Sequence, residues 1–236
     1  MKVYILLTVL AMTALAVVPA ILWKHKTKAS WKSYFIGFVI FMLFARILEP
    51  LLHMVCLIID SPVSRLINHS AILYGLYGGL AAGLFEETGR YTAFRWILKN
   101  QKRPADAVMY GWGHGGIEIL TIIVPVLILA LLPNPDPAVQ AALPDMTIAY
   151  LASALFERIL AVSIHVCLSV WVWKAVHQKK IIWFAVAILM HALIDFPVGL
   201  YQKGLLPQVS MMIWLVMITL VLVIYTIQLY KKMDRS

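Results

Sequence analysis

Charged side chains are scarce in this 236-residue chain: Asp, Glu, Lys and Arg make up 13% of it, while 62% is apolar. With a strongly positive mean hydropathy, that shortage excludes an ordinary soluble domain. Cysteine is nearly missing too. Cys56 and Cys167 each stand alone in an apolar stretch with no CxxC or His-rich neighbour, which excludes a disulfide framework and a zinc knuckle. HExxH, phosphate-binding and nucleic-acid motifs, internal repeats and low-complexity tracts are all absent. The net charge of +9 does not point to nucleic acid, because the basic residues fall in short clusters between apolar runs rather than on a face.

What remains is a series of apolar runs, each near the roughly 20 residues a bilayer span requires. They lie at 3 to 23, 33 to 58, 71 to 98, 105 to 132, 148 to 174, 181 to 200 and 208 to 230. The expected fold is all-α: a polytopic transmembrane helical bundle of about seven spans, a single membrane domain over 1–236 with a catalytic helix core at 71–200. The first run resembles a secretory signal, with Lys2 ahead and Ala14 and Ala16 as a cleavage-site mimic. Lys24, Lys26 and Lys28 behind it outweigh Lys2 and predict a retained span with its N-terminus outside.

Charge sorts the connections into two groups. Lys24 to Lys32, Lys99 to Arg103, Lys174 to Lys180, and the tail with Lys231, Lys232 and Arg235 are basic and predict the cytoplasmic side. The second connection, with Asp60 and Arg65, the fourth, with Asp136 and Asp145, and the sixth, with only Lys203, fit the outside. Seven spans, N-terminus out and C-terminus in, satisfy every connection. Pro133, Pro135, Pro137 and Pro144 make the fourth connection too irregular to continue a helix.

Against this background the ionisable residues inside the spans are out of place, since each is expensive in lipid and marks a functional interior by default. Glu86, Glu87 and Arg90 lie in span three, His114 and Glu118 in span four, Glu157, Arg158 and His165 in span five, His191 and Asp195 in span six. Counted from the cytoplasmic ends, Glu86, His114, His165 and His191 all fall roughly 13 to 20 Å deep at about 1.5 Å per residue. Residues three or four apart share a helix face, which groups Glu86 and Glu87 with Arg90, His114 with Glu118, and His191 with Asp195. Gly111, Gly113, Gly115 and Gly116 around His114 would let a neighbouring helix or a substrate backbone come close.

The order Glu86-Glu87-Thr88-Gly89-Arg90-Tyr91, then Tyr110-Gly-Trp-Gly-His114, then His191-Ala-Leu-Ile-Asp195 resembles the CAAX protease and bacteriocin-processing superfamily. It is most similar to the YhfC branch, with PrsW as a cousin, over roughly residues 71 to 200. Two departures stand out: Arg90 follows Glu87 by three rather than four, as in the PrsW-like pattern, and Asp195 replaces the Asn of many relatives. Glu118 and the Glu157-Arg158 pair with His165 also look PrsW-like or YhfC-like. The resemblance implies an intramembrane endopeptidase. In it Glu86 activates a water with help from His114, His191 and Asp195 support the oxyanion, Glu87 and Arg90 hold the geometry, and Glu118, Glu157 and His165 are supporting residues.

Both metal-free and metal-dependent mechanisms fit such a site. The first expectation is metal-free; the alternative is zinc on His114, His165, His191 and Glu86. Expected partners are the lipid bilayer and a membrane protein or lipidated peptide substrate, with no nucleic acid, in a multi-pass protein of the cell membrane. The working cavity is expected to open toward the cytoplasmic half. A proton-coupled transporter or channel, or a non-catalytic scaffold, would use the same residues differently. Among the rest, Arg46 and Glu49 are expected to form a structural pair and Arg95 to reach the cytoplasmic surface. His25, His53, His69 and His177 are assigned no role, and Trp23, Trp31, Trp183, Tyr201 and Tyr230 are expected to be interfacial anchors.

Overall fold

A computed structural model of the chain describes residues 1–133 and 136–234; Pro135 and Arg235, both used above, lie outside the described residues. Helices account for all regular structure among them. In chain order they are α1 (Lys2–Thr27), α2 (Trp31–Ile58), the short α3 (Pro62–His69), α4 (Ala71–Thr92, continued by a wider turn over Ala93–Ile97 that Leu98 caps), α5 (Pro104–Leu129), the short α6 (Pro137–Ala142), α7 (Ile148–His177), α8 (Ile182–Gln202) and α9 (Gln208–Asp234).

Six of the seven long helices are long and apolar enough to cross a membrane, and the chain is a multi-pass membrane protein. The seventh, α4, falls short because Glu86, Glu87 and Arg90 occupy its second half. Large apolar side chains such as Val3, Leu7, Val209 and Val221 stay exposed on α1 and α9, the surface that lipid covers.

Local chemistry sets the helix ends. Ser30, Ser70 and Thr147 accept backbone N–H groups at the starts of α2, α4 and α7, which satisfies donors that a helix start leaves open. Pro104 opens α5, where a missing N–H is harmless. The proline-rich fourth connection does end α5, yet it also forms the short α6, with Asp136 accepting from Ala138 N and Pro137 in the first turn.

Helix α5 is the centre of the bundle, with every residue from Pro104 to Ile117 buried except Trp112. Its glycines make that position attainable. A Cβ on Gly113 would run into the Tyr34 carbonyl of α2, one on Gly111 or Gly115 into the Val166 or Val162 backbone of α7, and one on Gly116 into Ala16 of α1. The expectation of a close neighbour around His114 therefore holds on three faces at once, with helices as the neighbours. Helices α4 and α8 pack the same way, Gly79 and Gly83 facing the carbonyls of Ala192 and Ile188.

Contacts between connections define the two ends of the bundle. Arg103 donates to the Lys28 carbonyl at 2.8 Å, Trp173 Nε1 to the Gln101 carbonyl at 3.3 Å, and Trp23 stacks edge-on to Tyr230 with ring centres 6.0 Å apart. These gather the four lysine-bearing segments at one end. At the other end Lys203 Nζ donates to the Asn68 carbonyl at 3.1 Å, joining the second and sixth connections.

Candidate active site

Four helices deliver the polar groups to one point. Glu86 Oε2, from α4, lies 2.8 Å from His114 Nε2 of α5, 3.7 Å from His165 Nδ1 of α7 and 4.0 Å from His191 Nε2 of α8. All four residues are buried. The common depth inferred from the sequence is thus a common site.

Arg90 organises it from the side of the basic connections. Its guanidinium is fully buried and bonds Glu87, Glu86 (3.3 Å) and His165 Nδ1 (2.6 Å). It therefore does more than neutralise one carboxylate of the Glu86 and Glu87 pair: it ties α4 to α7.

Because a guanidinium only donates, His165 Nδ1 must accept, and its Nε2–H donates to Glu118 Oε2 at 2.5 Å. Glu118 also bonds Arg158, whose second nitrogen reaches Glu157 at 2.6 Å. On the opposite wall Glu87 accepts from His191 Nδ1 at 2.7 Å, turning Nε2 toward Glu86 and toward Asp195, 3.4 Å away. Each of these two imidazoles is thus held by a carboxylate behind it and points its other nitrogen inward.

Two side-chain pairings differ from those the spacing suggested. Glu118 shares a face with His114 in sequence spacing, yet its partners are His165 and Arg158 on α7. Arg46 and Glu49 do not pair: Arg46 is exposed, and Glu49 bonds His53 at 3.2 Å. The wider turn over Phe44–Leu48 winds less per residue, so three residues fall well short of a full turn and that spacing no longer means a shared face. His53, given no role above, donates to or accepts from Tyr77 at 2.8 Å, and both line the cavity. The signal for them was the four-residue step from Glu49 to His53.

That cavity, of about 450 Å³, begins at Glu86, His165 and His191 and passes Asp195 and Glu157 to Leu57, Tyr74 and Gln202. It runs toward the end away from the lysines, so the expected opening toward the basic, cytoplasmic half is not what the structure has. On the lysine side the space is filled by Phe94, Leu98, Met109, Tyr110, Leu168 and Val172, all essentially without exposure.

A metal ion fits the donors. Glu86, His114 and His165 each offer one ligand atom, all within 4.8 Å of one another. Imidazole and carboxylate ligands about 2.0–2.1 Å from a tetrahedral zinc lie roughly 3.4 Å from each other, between the 2.8 and 3.7 Å separations from Glu86 to these two histidines. The carboxylate behind His165 is the usual support of a metal-binding imidazole. Arg90 Nη2 occupies the His165 lone pair and one lone pair of Glu86, so an ion held by these ligands takes the place of its positive charge there. His191 Nε2 borders this set.

Comparison with known proteins agrees with the geometry. The chain is 33% identical over 207 residues to the uncharacterized membrane protein YhfC of Bacillus subtilis (strain 168), covering 79% of this chain and 80% of that protein. No solved structure matches. The sequence model of a family described as YhfC intramembrane metalloprotease matches residues 10–219. The chain belongs to the YhfC intramembrane metalloprotease family.

Proposed function

We propose that the protein is an endopeptidase that hydrolyses peptide bonds of membrane-associated proteins at the Glu86 cluster. One observation carries this reading: a single carboxylate oxygen faces three imidazole nitrogens, from three other helices, within 4.0 Å. Structural ion pairs seldom gather three histidines at one oxygen, whereas a hydrolytic site with a base or a metal ion does so readily. The single domain of 1–236, the catalytic core of 71–200 and seven spans with the N-terminus outside belong to the same proposal.

Without a metal, Glu86 takes the proton of the attacking water and returns it to the leaving amine, while His114, fully buried and bonded to it, holds the carboxylate in place. His191, turned by Glu87 and flanked by Asp195, faces the cavity and donates from Nε2–H to the oxyanion formed when water adds to the scissile carbonyl. Arg90 and Glu87 fix α4 against α7 and α8, and Glu118 with Arg158 and Glu157 fixes His165.

The donor set favours the metal-dependent version over the metal-free one expected from the sequence. Glu86, His114 and His165 would hold the ion, which supplies Lewis acidity and an acidified water. Asp195, with 34% of its side chain exposed, is then an unliganded carboxylate facing the cavity, as is Glu157.

The test offers purified protein a panel of membrane-spanning peptides. Cleavage lost in Glu86→Gln and His114→Ala is the expected result. Proton-driven uptake into vesicles without any cleavage would instead favour the transporter alternative.

A further inference from the structure

The cavity and the basic connections lie at opposite ends of the same bundle. Four segments, represented by Lys28, Lys102, Lys179 and Lys231, meet at one end through the Arg103, Trp173 and Trp23 contacts. Lysine and arginine accumulate on the cytoplasmic side of membrane proteins, which makes that end cytoplasmic. The far end of the cavity is lined by Leu57, Tyr74 and Gln202, from the ends of α2 and α8 and the start of α4. Beside it the charges are few and engaged: Arg65 is paired with Asp60 at 2.9 Å, and Lys203 is drawn onto Asn68 and over the Tyr74 ring at 4.4 Å.

Between the Glu86 cluster and the cytoplasmic end the described residues pack closely. Phe94 and Leu98 of α4, Met109 and Tyr110 of α5, and Leu168 and Val172 of α7 fill that volume with 0 or 1% exposure each. Arg90, itself fully buried, lies on top of this plug. A polypeptide could reach Glu86 from below only by displacing side chains from all three helices, whereas from the other end a lined passage already exists.

We infer that the substrate enters from the non-cytoplasmic face, so that the class cleaved is a membrane protein whose scissile segment lies in the outer half of the bilayer or just outside it. A cytoplasmic lipidated tail would meet the closed end. This inference rests on the proteolytic reading for the word substrate, but the direction of access stands on the cavity and the charge pattern alone.

Two measurements test it separately. Cys56 is replaced by Ala, and Cys167, 4% exposed, is kept as a residue that an impermeant reagent does not reach. Gln202→Cys and Lys179→Cys are then made on that background in full-length protein and treated with a membrane-impermeant maleimide in intact cells. Gln202→Cys is expected to label before permeabilisation and Lys179→Cys only after it; the reverse pattern overturns the inference, whatever the protein catalyses. Leu57→Cys serves as a second mouth position should Gln202→Cys accumulate poorly. In the second measurement, one peptide sequence is placed on either side of a single span. Cleavage confined to the outer placement is the expected result, and preferential cleavage of the inner placement overturns the inference. Outer labelling with no cleavage of any peptide defeats the protease reading and leaves the direction of access standing.

Discussion

Glu118 lies one helical turn beyond His114 on α5, yet its carboxylate accepts the Nε2–H of His165 on α7 at 2.5 Å. That bond selects the tautomer whose Nδ1 lone pair accepts from Arg90 beside Glu86, so Glu118 decides what His165 can do there.

Replacing Glu118 with Gln should therefore lower cleavage through its effect on His165. Loss of such a carboxylate behind a metal-binding imidazole typically costs about 10- to 100-fold in activity or metal affinity. Peptide cleavage and bound metal, measured on the same preparation, should fall together. Unchanged metal content with unchanged cleavage would contradict the role given to Glu118.

Exhaustive chelation should abolish cleavage, and added zinc should restore it. Metal content offers an independent reading: His114→Ala and His165→Ala should each retain less zinc than the unaltered protein after equilibration. Full activity after complete metal removal would return the site to the glutamate-only mechanism.

Arg158 holds both Glu118 and Glu157 with little exposure of its own. Arg158→Ala strands two carboxylates, and removing one partner of a buried ion pair costs about 3–5 kcal/mol. Thermal unfolding in detergent should show this loss. Arg158→Lys should recover only part of it, because an ammonium cannot reproduce the two-armed contact.

Gly113→Ala is expected to loosen the bundle, since its new Cβ meets the Tyr34 carbonyl. Forcing volume into a packed interior costs about 1–3 kcal/mol. Gly78, with open space where a Cβ would go, is the control: Gly78→Ala should leave the unfolding temperature nearly unchanged. Equal effects at both positions would argue against α5 as the tightly held centre.

The convergence of Glu86, His114, His165 and His191 was legible because depth along a helix follows from residue count, and connection charges give the direction of each count. Helix limits were readable for the same reason, apolar runs being bounded by lysines and prolines. Partners across helices were not. Whether Glu118 turns to His114 or His165 depends on how α5 crosses α7, which glycine spacing permits but does not specify. The wider turn over Phe44–Leu48 has no one-residue signature, so the Arg46 to Glu49 spacing misled and the Glu49, His53 and Tyr77 chain passed unnoticed. Cavity direction depends on which helix ends separate and which fill with Phe94 and Tyr110, a property of packed volume rather than of pattern.

Glu86 and His191 ride on α4 and α8, which touch backbone to backbone at Gly79 and Gly83, while His114 and His165 ride on α5 and α7, joined the same way at Gly111 and Gly115. Neither pair can shear internally without breaking those contacts, so each behaves as one rigid plank. Widening the bundle to seat a polypeptide must then shift plank against plank, and the gap from Glu86 to His114 registers that shift directly. Admission of a guest and alignment of the reacting groups become one mechanical coordinate.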